Sequence, residues 1–114
     1  MSWWVSLNDE NGSPVTVDSF EDGGTYALGG SSEADLNITY NYSPHYYRHL
    51  DEDEGLMWLR GKKAADTIER LETAIAALGT ERDKDYWKAT PGNAGYALSI
   101  LLKWARQYPD AVFR

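Results

Sequence analysis

Histidine and carboxylate side chains are the residues of this chain whose types and spacing could do chemistry. His45 and His49 are four residues apart, so a helix would place both on one face, as in a two-histidine metal site. The metalloprotease form of that site needs a glutamate directly after the first histidine, and Tyr46 stands there. Asp51 and Asp53 are no more than conceivable third ligands. We therefore predict neither a metal nor a cofactor.

Other catalytic patterns lack a necessary part. The chain has no cysteine nucleophile, no Gly-x-Ser-x-Gly segment to expose a serine, and no glycine-rich loop that would cradle a phosphate. Glycosidases need one carboxyl group in an apolar pocket and a second about 5–10 Å away. The acids at 51–54 form a solvated run, which is the opposite environment. The sequence therefore predicts a protein that is not an enzyme.

Length and composition set the class of protein. The chain has 114 residues, so we expect one compact domain over residues 1–114, with strands and loops in 1–42 and mainly helices in 43–114. It has no cysteine, which excludes disulfides and fits a reducing cytoplasm. No window approaches the roughly 20 apolar residues of a membrane span, and no signal peptide is recognised. We expect a cytoplasmic protein that does not bind membranes.

Charge is distributed unevenly along the chain. The net charge is −7, which disfavours direct binding to nucleic acid and favours a basic protein surface as partner. Residues 1–60 hold eleven acids and two bases, a charge of −9, whereas residues 61–114 hold seven acids and nine bases, a charge of +2. The acidity thus belongs to the first half, either as an ordinary solvated face or as a contact surface.

We predict that this acidic surface binds the partner. Its candidate residues are the acids of the first half that lie in turns and loops: Asp9, Glu10, Asp18, Glu21, Asp22, Glu33, Asp51, Glu52, Asp53 and Glu54. An exposed aromatic side chain beside an acidic surface is a common interface anchor. Trp3 and Trp4 are the candidates, because neighbours on a strand point to opposite faces and one of the two should be partly exposed.

Strands are predicted in the first forty residues. Residues 3–7 and 14–17 form a hairpin in which Asn11-Gly12 supplies the positive φ angles of a tight turn. Residues 25–28 form a possible short strand. Residues 36–42 alternate apolar and polar positions, which predicts a half-buried strand with Tyr40 and Tyr42 on its apolar face.

Helices are predicted in the remainder. Ser43 and Pro44 begin a short helix that ends near residue 50, residues 62–78 carry a continuous apolar stripe, and Thr90-Pro91 caps the last helix. Residues 112–113 could add an edge strand. The fold class is therefore α+β, a small antiparallel sheet from the N-terminal half packed against two long helices and one short helix. Trp58 is predicted to be buried.

The start of the last helix is a second candidate site. Amides at a helix N-terminus can hold an anion, and aromatic side chains are predicted nearby. The candidate pocket residues are Tyr40, Asn41, Tyr42, Trp87, Thr90 and Asn93. The alternative is a helix cap tied to the sheet, with no ligand.

Two segments resemble a known group of proteins. Residues 36–43 (LNITYNYS) and 85–94 (DYWKATPGNA), with the helix end at 104–109, resemble a family of small phage and prophage proteins. That family has no agreed activity to carry over. In size, acidity and absence of enzyme motifs the chain is also similar to a type I-C anti-CRISPR protein.

The anti-CRISPR resemblance implies a function. It implies a monomer in the host bacterial cytoplasm that binds a subunit of the CRISPR-Cas effector (Cascade) and blocks access of DNA without catalysis. Its acids would then mimic DNA by occupying lysine and arginine side chains that otherwise grip phosphates. Two alternatives stay open: a small-ligand or nucleotide-binding phage accessory protein with a pocket near Tyr40, Trp87 and Thr90, and an accessory protein that only packs against other phage proteins.

Overall fold

A computed structural model describes residues 2–17, 21–22, 25–26, 33–85 and 87–114. These residues form an antiparallel sheet of five strands: β1 (Ser2–Asn8), β2 (Glu21–Asp22), β3 (Thr25–Tyr26), β4 (Asp35–Thr39) and β5 (Val112–Phe113). Three α-helices lie between β4 and β5 in the chain: α1 (Ser43–His49), α2 (Ile68–Leu78) and α3 (Pro91–Gln107). The α+β prediction is confirmed.

Strand β1 is paired along both of its edges. The strand order is β2-β3-β4-β1-β5, and β1 pairs with β4 on one side and with β5 on the other. Val5 and Leu7 alternate toward the helices and are buried, which removes their apolar surface from water. The predicted edge strand at 112–113 is confirmed, since Leu7 lies opposite Phe113.

Strand β4 is shorter and more deeply buried than the sequence predicts. It ends at Thr39, and the next three residues form a 3-10 turn (Tyr40–Tyr42) in which the Thr39 hydroxyl accepts a hydrogen bond from the Asn41 amide, 3.2 Å. Asn37 and Thr39 are buried along with the apolar residues of the strand. The prediction of a half-buried strand through residue 42 is therefore wrong.

Helix α1 begins differently from its predicted start. Ser43 is the first residue of the helix and not its cap, because its hydroxyl donates to the Tyr40 carbonyl, 2.6 Å. The helix is fixed to α3 by Tyr46, whose hydroxyl donates to the Ala94 carbonyl, 3.0 Å. Burial, and secondarily the neighbouring Tyr42, raises the pKa of the Tyr46 hydroxyl well above its usual value.

Helix α2 begins six residues later than predicted. A 3-10 turn (Ala64–Thr67) precedes it, and the amides of Ala64 and Ala65 bond to the carbonyls of Ala111 and Pro109. These bonds tie the segment to the chain before β5 and divert it from the α-helical path. The predicted glycine end is confirmed, since Gly79 follows the helix with φ +78°.

Helix α3 starts as predicted. The Thr90 hydroxyl accepts a hydrogen bond from the Asn93 amide, 3.1 Å, and Pro91 occupies the first turn. Close approach to the end of α2 depends on two glycines: a Cβ atom at Gly92 would lie 1.8 Å from the Glu81 carbonyl oxygen, and one at Gly95 would lie 1.8 Å from that of Gly79.

Candidate functional site

The turn after β1 presents two of the predicted acids. The side chain of Asp9 accepts hydrogen bonds from the amides of Asn11 (2.9 Å) and Ser13 (3.1 Å), so it holds the turn closed. Glu10 stands exposed at its tip. Within this turn, Gly12 is the one residue with a positive φ angle, and its amide donates a hydrogen bond to the Asp9 carbonyl. The predicted pair of positive φ angles at Asn11-Gly12 is thus wrong, because the turn is one residue longer.

A second acidic turn follows α1. One carboxylate oxygen of Asp51 accepts from the amides of Asp53 (3.1 Å) and Glu54 (2.8 Å), and the other accepts from the Arg70 guanidinium, 3.0 Å. Asp51 is therefore half-buried and structural. The prediction of a solvated acidic run holds for Glu52, Asp53 and Glu54.

Trp58 lies beside this turn and is only half-buried. The Arg70 guanidinium carbon lies 4.3 Å from the centre of its ring, and the Lys62 ammonium lies 4.7 Å from it. Cations are attracted to the electron-rich face of an aromatic ring, so Trp58 packs under charged side chains. The prediction of a buried Trp58 is wrong for that reason.

Three acids of the second half of the chain form ion pairs with neighbouring bases. Lys63 contacts Asp110 (3.3 Å), Lys88 contacts Asp83 (3.9 Å) and Arg106 contacts Glu72 (3.4 Å). By contrast, none of the ion pairs formed among the described residues includes the exposed acids of the two turns: Glu10, Glu52, Asp53 and Glu54. The charge asymmetry of the sequence therefore persists in the fold.

The remaining predicted acids lie in and around the far part of the sheet. Glu33 is exposed just before β4. Glu21 and Asp22 form β2, although the structure describes only their backbone, and Asp18 lies outside the described residues. The described acids therefore lie in separate parts of the chain: the turn after β1, strand β2, the residues before β4 and the turn after α1.

Asp35, beside Glu33, gives a prediction for pH dependence. Burial, and secondarily the charge of Glu33, raises the pKa of Asp35 above its ordinary value of 3.8. The folded state thus disfavours the ionised form, and stability present below pH 3.8 is lost as the pH rises through the raised value. We therefore expect the melting temperature of Asp35→Asn, relative to that of the wild type, to increase as the pH rises from about 3 to 7. A constant difference between the two proteins would contradict this.

Trp3 and Trp4 are separated as predicted. Trp3 packs against the core, and its ring centre lies 4.7 Å from that of Tyr40 in an edge-to-face contact. Trp4 points to the other face of the sheet with 43% of its surface exposed. Of the two candidate anchors, Trp4 therefore offers the larger surface to a partner.

The predicted pocket residues form a polar network around the loop before α3. The buried Asn93 side chain accepts from the Asp83 amide (2.9 Å) and donates to the carbonyls of Asp85 (3.1 Å) and Lys88 (2.9 Å). Asn41 donates to the Trp87 carbonyl, 2.8 Å. These bonds join Asn41 to the Trp87 segment and fasten the loop to α3 and to the segment after β4.

Aromatic rings at this network differ in exposure. Tyr42 is buried, whereas Tyr40 and Trp87 are 40% and 48% exposed. Trp104, within α3, is buried in the core, whereas the side chain of Trp87 in the preceding loop is exposed. The backbone carbonyl of Trp87 accepts from Asn41, so the loop is tied to the segment after β4.

The two histidines of α1 contact different parts of the molecule. His45 Nε2 lies 2.8 Å from the Ala89 carbonyl oxygen, so it donates a hydrogen bond and holds the same loop. His49 lines a shallow cleft beside Trp58 and Arg70. In the part of the chain that the structure describes, no group of three His, Asp or Glu side chains is placed to hold a metal ion.

One neighbourhood was missed by sequence reasoning. Asp110 lies beside Asp9 and Glu10 in a cleft between the turn after β1 and the end of α3. About a hundred residues separate the two segments in the sequence, so no local spacing or motif signals their contact. A cleft lined by Asp110 is therefore visible only in the fold.

Comparisons with known proteins give no further assignment. No protein-family model, no curated protein and no solved structure matches this chain. Over the described residues, none of the helices has the length and apolar character needed to cross a membrane.

Proposed function

We propose that this chain is a non-catalytic inhibitor of phage origin that binds the basic surface of a CRISPR effector complex and keeps DNA away from it. The observation that supports an acidic contact surface is the exposure of Glu10, Glu52, Asp53 and Glu54, none of which joins an ion pair among the described residues. Carboxylates without internal partners are available to lysine and arginine side chains of another protein.

The turns that carry these acids suit a binding surface. Asp9 and Asp51 each accept two backbone amides, so they fix the turns and leave their neighbours to face solvent. A preorganised turn loses less conformational entropy on binding than a flexible loop does. The choice of a CRISPR effector as the partner rests on the resemblance of the sequence, and the monomeric, cytoplasmic state is part of the same proposal.

Charge reversal away from the structural acids tests the proposal. We expect Glu52→Lys with Glu54→Lys to weaken inhibition of DNA binding by a type I-C effector at least about tenfold, because attraction becomes repulsion. A second set, Asp18→Lys with Glu21→Lys and Asp22→Lys, should act in the same direction. The measurement is an electrophoretic mobility shift of effector and target DNA over a range of inhibitor concentrations.

A matched control separates a local surface from total charge. Glu69→Lys with Glu81→Lys makes the same change in charge at exposed residues of the second half, and it should leave inhibition within about twofold. Circular dichroism establishes that each variant is folded. If both charge-reversal variants of the first half inhibited the effector as strongly as the wild type does, the proposal would be overturned. Failure of the wild-type protein to inhibit the effector would overturn it as well.

A further inference from the structure

A cleft of about 410 Å³ lies between the turn after β1 and the end of α3. Its floor is apolar and is formed by Val15 and Ala111, both buried, with Tyr108 and Pro109 beside them. Its volume falls in the range of roughly 300–1,000 Å³ that is typical of sites for small groups. Three acidic residues stand at its rim, and among the described residues that line it there is no lysine, arginine or histidine.

The floor of the cleft is fixed by hydrogen bonds. The Tyr108 hydroxyl donates to the Thr16 carbonyl, which joins the end of α3 to the segment after the turn; the predicted returning strand at 14–17 is wrong, because residues 14 and 16 form only isolated bridges. The amide of Val15 donates to the Leu7 carbonyl, 2.9 Å, and that of Ala64 to the Ala111 carbonyl, 2.7 Å. Because both walls are anchored to the sheet or to its neighbours, the cleft exists before any partner binds.

The rim of the cleft is acidic and accessible. Asp9 is oriented by the amides of its turn, and Glu10 is exposed. The side chain of Asp110 is 92% exposed, and its contact with Lys63 joins two solvated groups. Such exposed ion pairs contribute little, so Asp110 can exchange Lys63 for another cation without a large loss.

We infer that this cleft receives a lysine or arginine side chain of the protein partner, with the aliphatic stem on the apolar floor and the charged head among Asp9, Glu10 and Asp110. This inference rests on the proposed function, because it assumes a basic protein partner. Long cationic side chains bury their methylene stems while the charged head stays at the rim. An apolar floor below three carboxylates is complementary to both parts of such a side chain.

Simple cationic peptides test the cleft without any effector. The isotope-labelled chain is titrated with tetralysine and with tetra(2,4-diaminobutyric acid), which carries the same charges on stems two methylenes shorter, at a pH of about 6 where amines are protonated. We expect tetralysine to shift the amide resonances of Val15, Tyr108 and Ala111. The shorter peptide should bind at least about threefold more weakly, since less apolar surface is buried.

Paired variants identify the rim. Glu10→Gln with Asp110→Asn should weaken tetralysine binding about tenfold. The matched variant Glu69→Gln with Glu81→Gln removes two charges from exposed residues elsewhere and should change it by no more than about twofold. Asp9 is left unchanged because it holds the turn.

The outcomes separate this inference from the proposed function. Equal affinity for the two peptides, equal loss in both paired variants, or resonance shifts confined to other surfaces would overturn the cleft as a side-chain site. If Glu10→Gln with Asp110→Asn inhibits the effector as the wild type does while Glu52→Lys with Glu54→Lys does not, the cleft inference fails and the proposed function stands. Tetralysine binding as expected, without any effector inhibition by the wild type, supports the cleft and overturns the proposed function.

Discussion

Gly95→Ala is expected to lower the free energy of unfolding by about 3 kcal/mol or more. A Cβ atom there would lie 1.8 Å from the Gly79 carbonyl oxygen and 3.0 Å from Leu78 Cβ, and backbone cannot rotate away as a side chain can. Helices α2 and α3 would have to separate, which disrupts the packing on both. Urea denaturation followed by circular dichroism measures the loss.

Gly12→Ala is the control for this substitution. Gly12 has φ +81°, but nothing lies within 4 Å of its would-be Cβ atom, so the cost is the strain of a left-handed residue alone, roughly 1–2 kcal/mol. If Gly95→Ala lowered the free energy of unfolding no more than Gly12→Ala does, the helices would tolerate a wider spacing. The close packing would then not be a requirement of the fold.

Asn93→Ala is expected to cost about 3 kcal/mol of stability. Asn93 is only 3% exposed, and its side chain makes three hydrogen bonds to the backbone of the loop before α3, each worth roughly 1 kcal/mol. Removing the side chain leaves these loop groups without their partner. Hydrogen exchange should accelerate at the amides of residues 83–90 before it does in the helices. Urea denaturation followed by circular dichroism measures the decrease in the free energy of unfolding.

Asn41→Ala is the matched control for the loop. It removes one exposed hydrogen bond to the Trp87 carbonyl, so we expect a loss of about 1 kcal/mol or less. If the two asparagine variants lose the same stability, Asn93 is not the residue that organises the loop. The outcome also bears on a ligand at Tyr40 and Trp87, because Asn93 sets the position of the Trp87 segment.

Periodicity and capping residues predict much of this fold. The Thr90 cap of α3, the strand at 3–7 and the glycine end of α2 are local patterns, and each is confirmed. The errors have a common origin in tertiary contacts. Residues 64–67 look α-helical by pattern, but backbone bonds to Pro109 and Ala111 redirect them. Strand β4 looks half-buried, although both of its faces are covered.

The candidate site was only partly accessible to sequence reasoning. Acid content located the exposed residues Glu10, Glu52, Asp53 and Glu54, since turn residues generally face solvent. Acid content could not distinguish these exposed residues from the structural Asp51, because the partner of Asp51, Arg70, lies 19 residues away in the sequence. The cleft that joins Asp110 to the turn after β1 depends on long-range folding, and composition assigned Asp110 to the nearly neutral half.

The position of β1 between β4 and β5 has a consequence for the kinetics of folding. Leu7 pairs with Phe113, so the contact between β1 and β5 closes a loop of more than a hundred residues. Loop closure of that length carries a larger entropic cost than local contacts, and proteins rich in such pairings fold slowly. Contacts between α2 and α3 can therefore form early. During synthesis on the ribosome, β1 must wait for β5 to emerge before the sheet, and the cleft beside it, is complete.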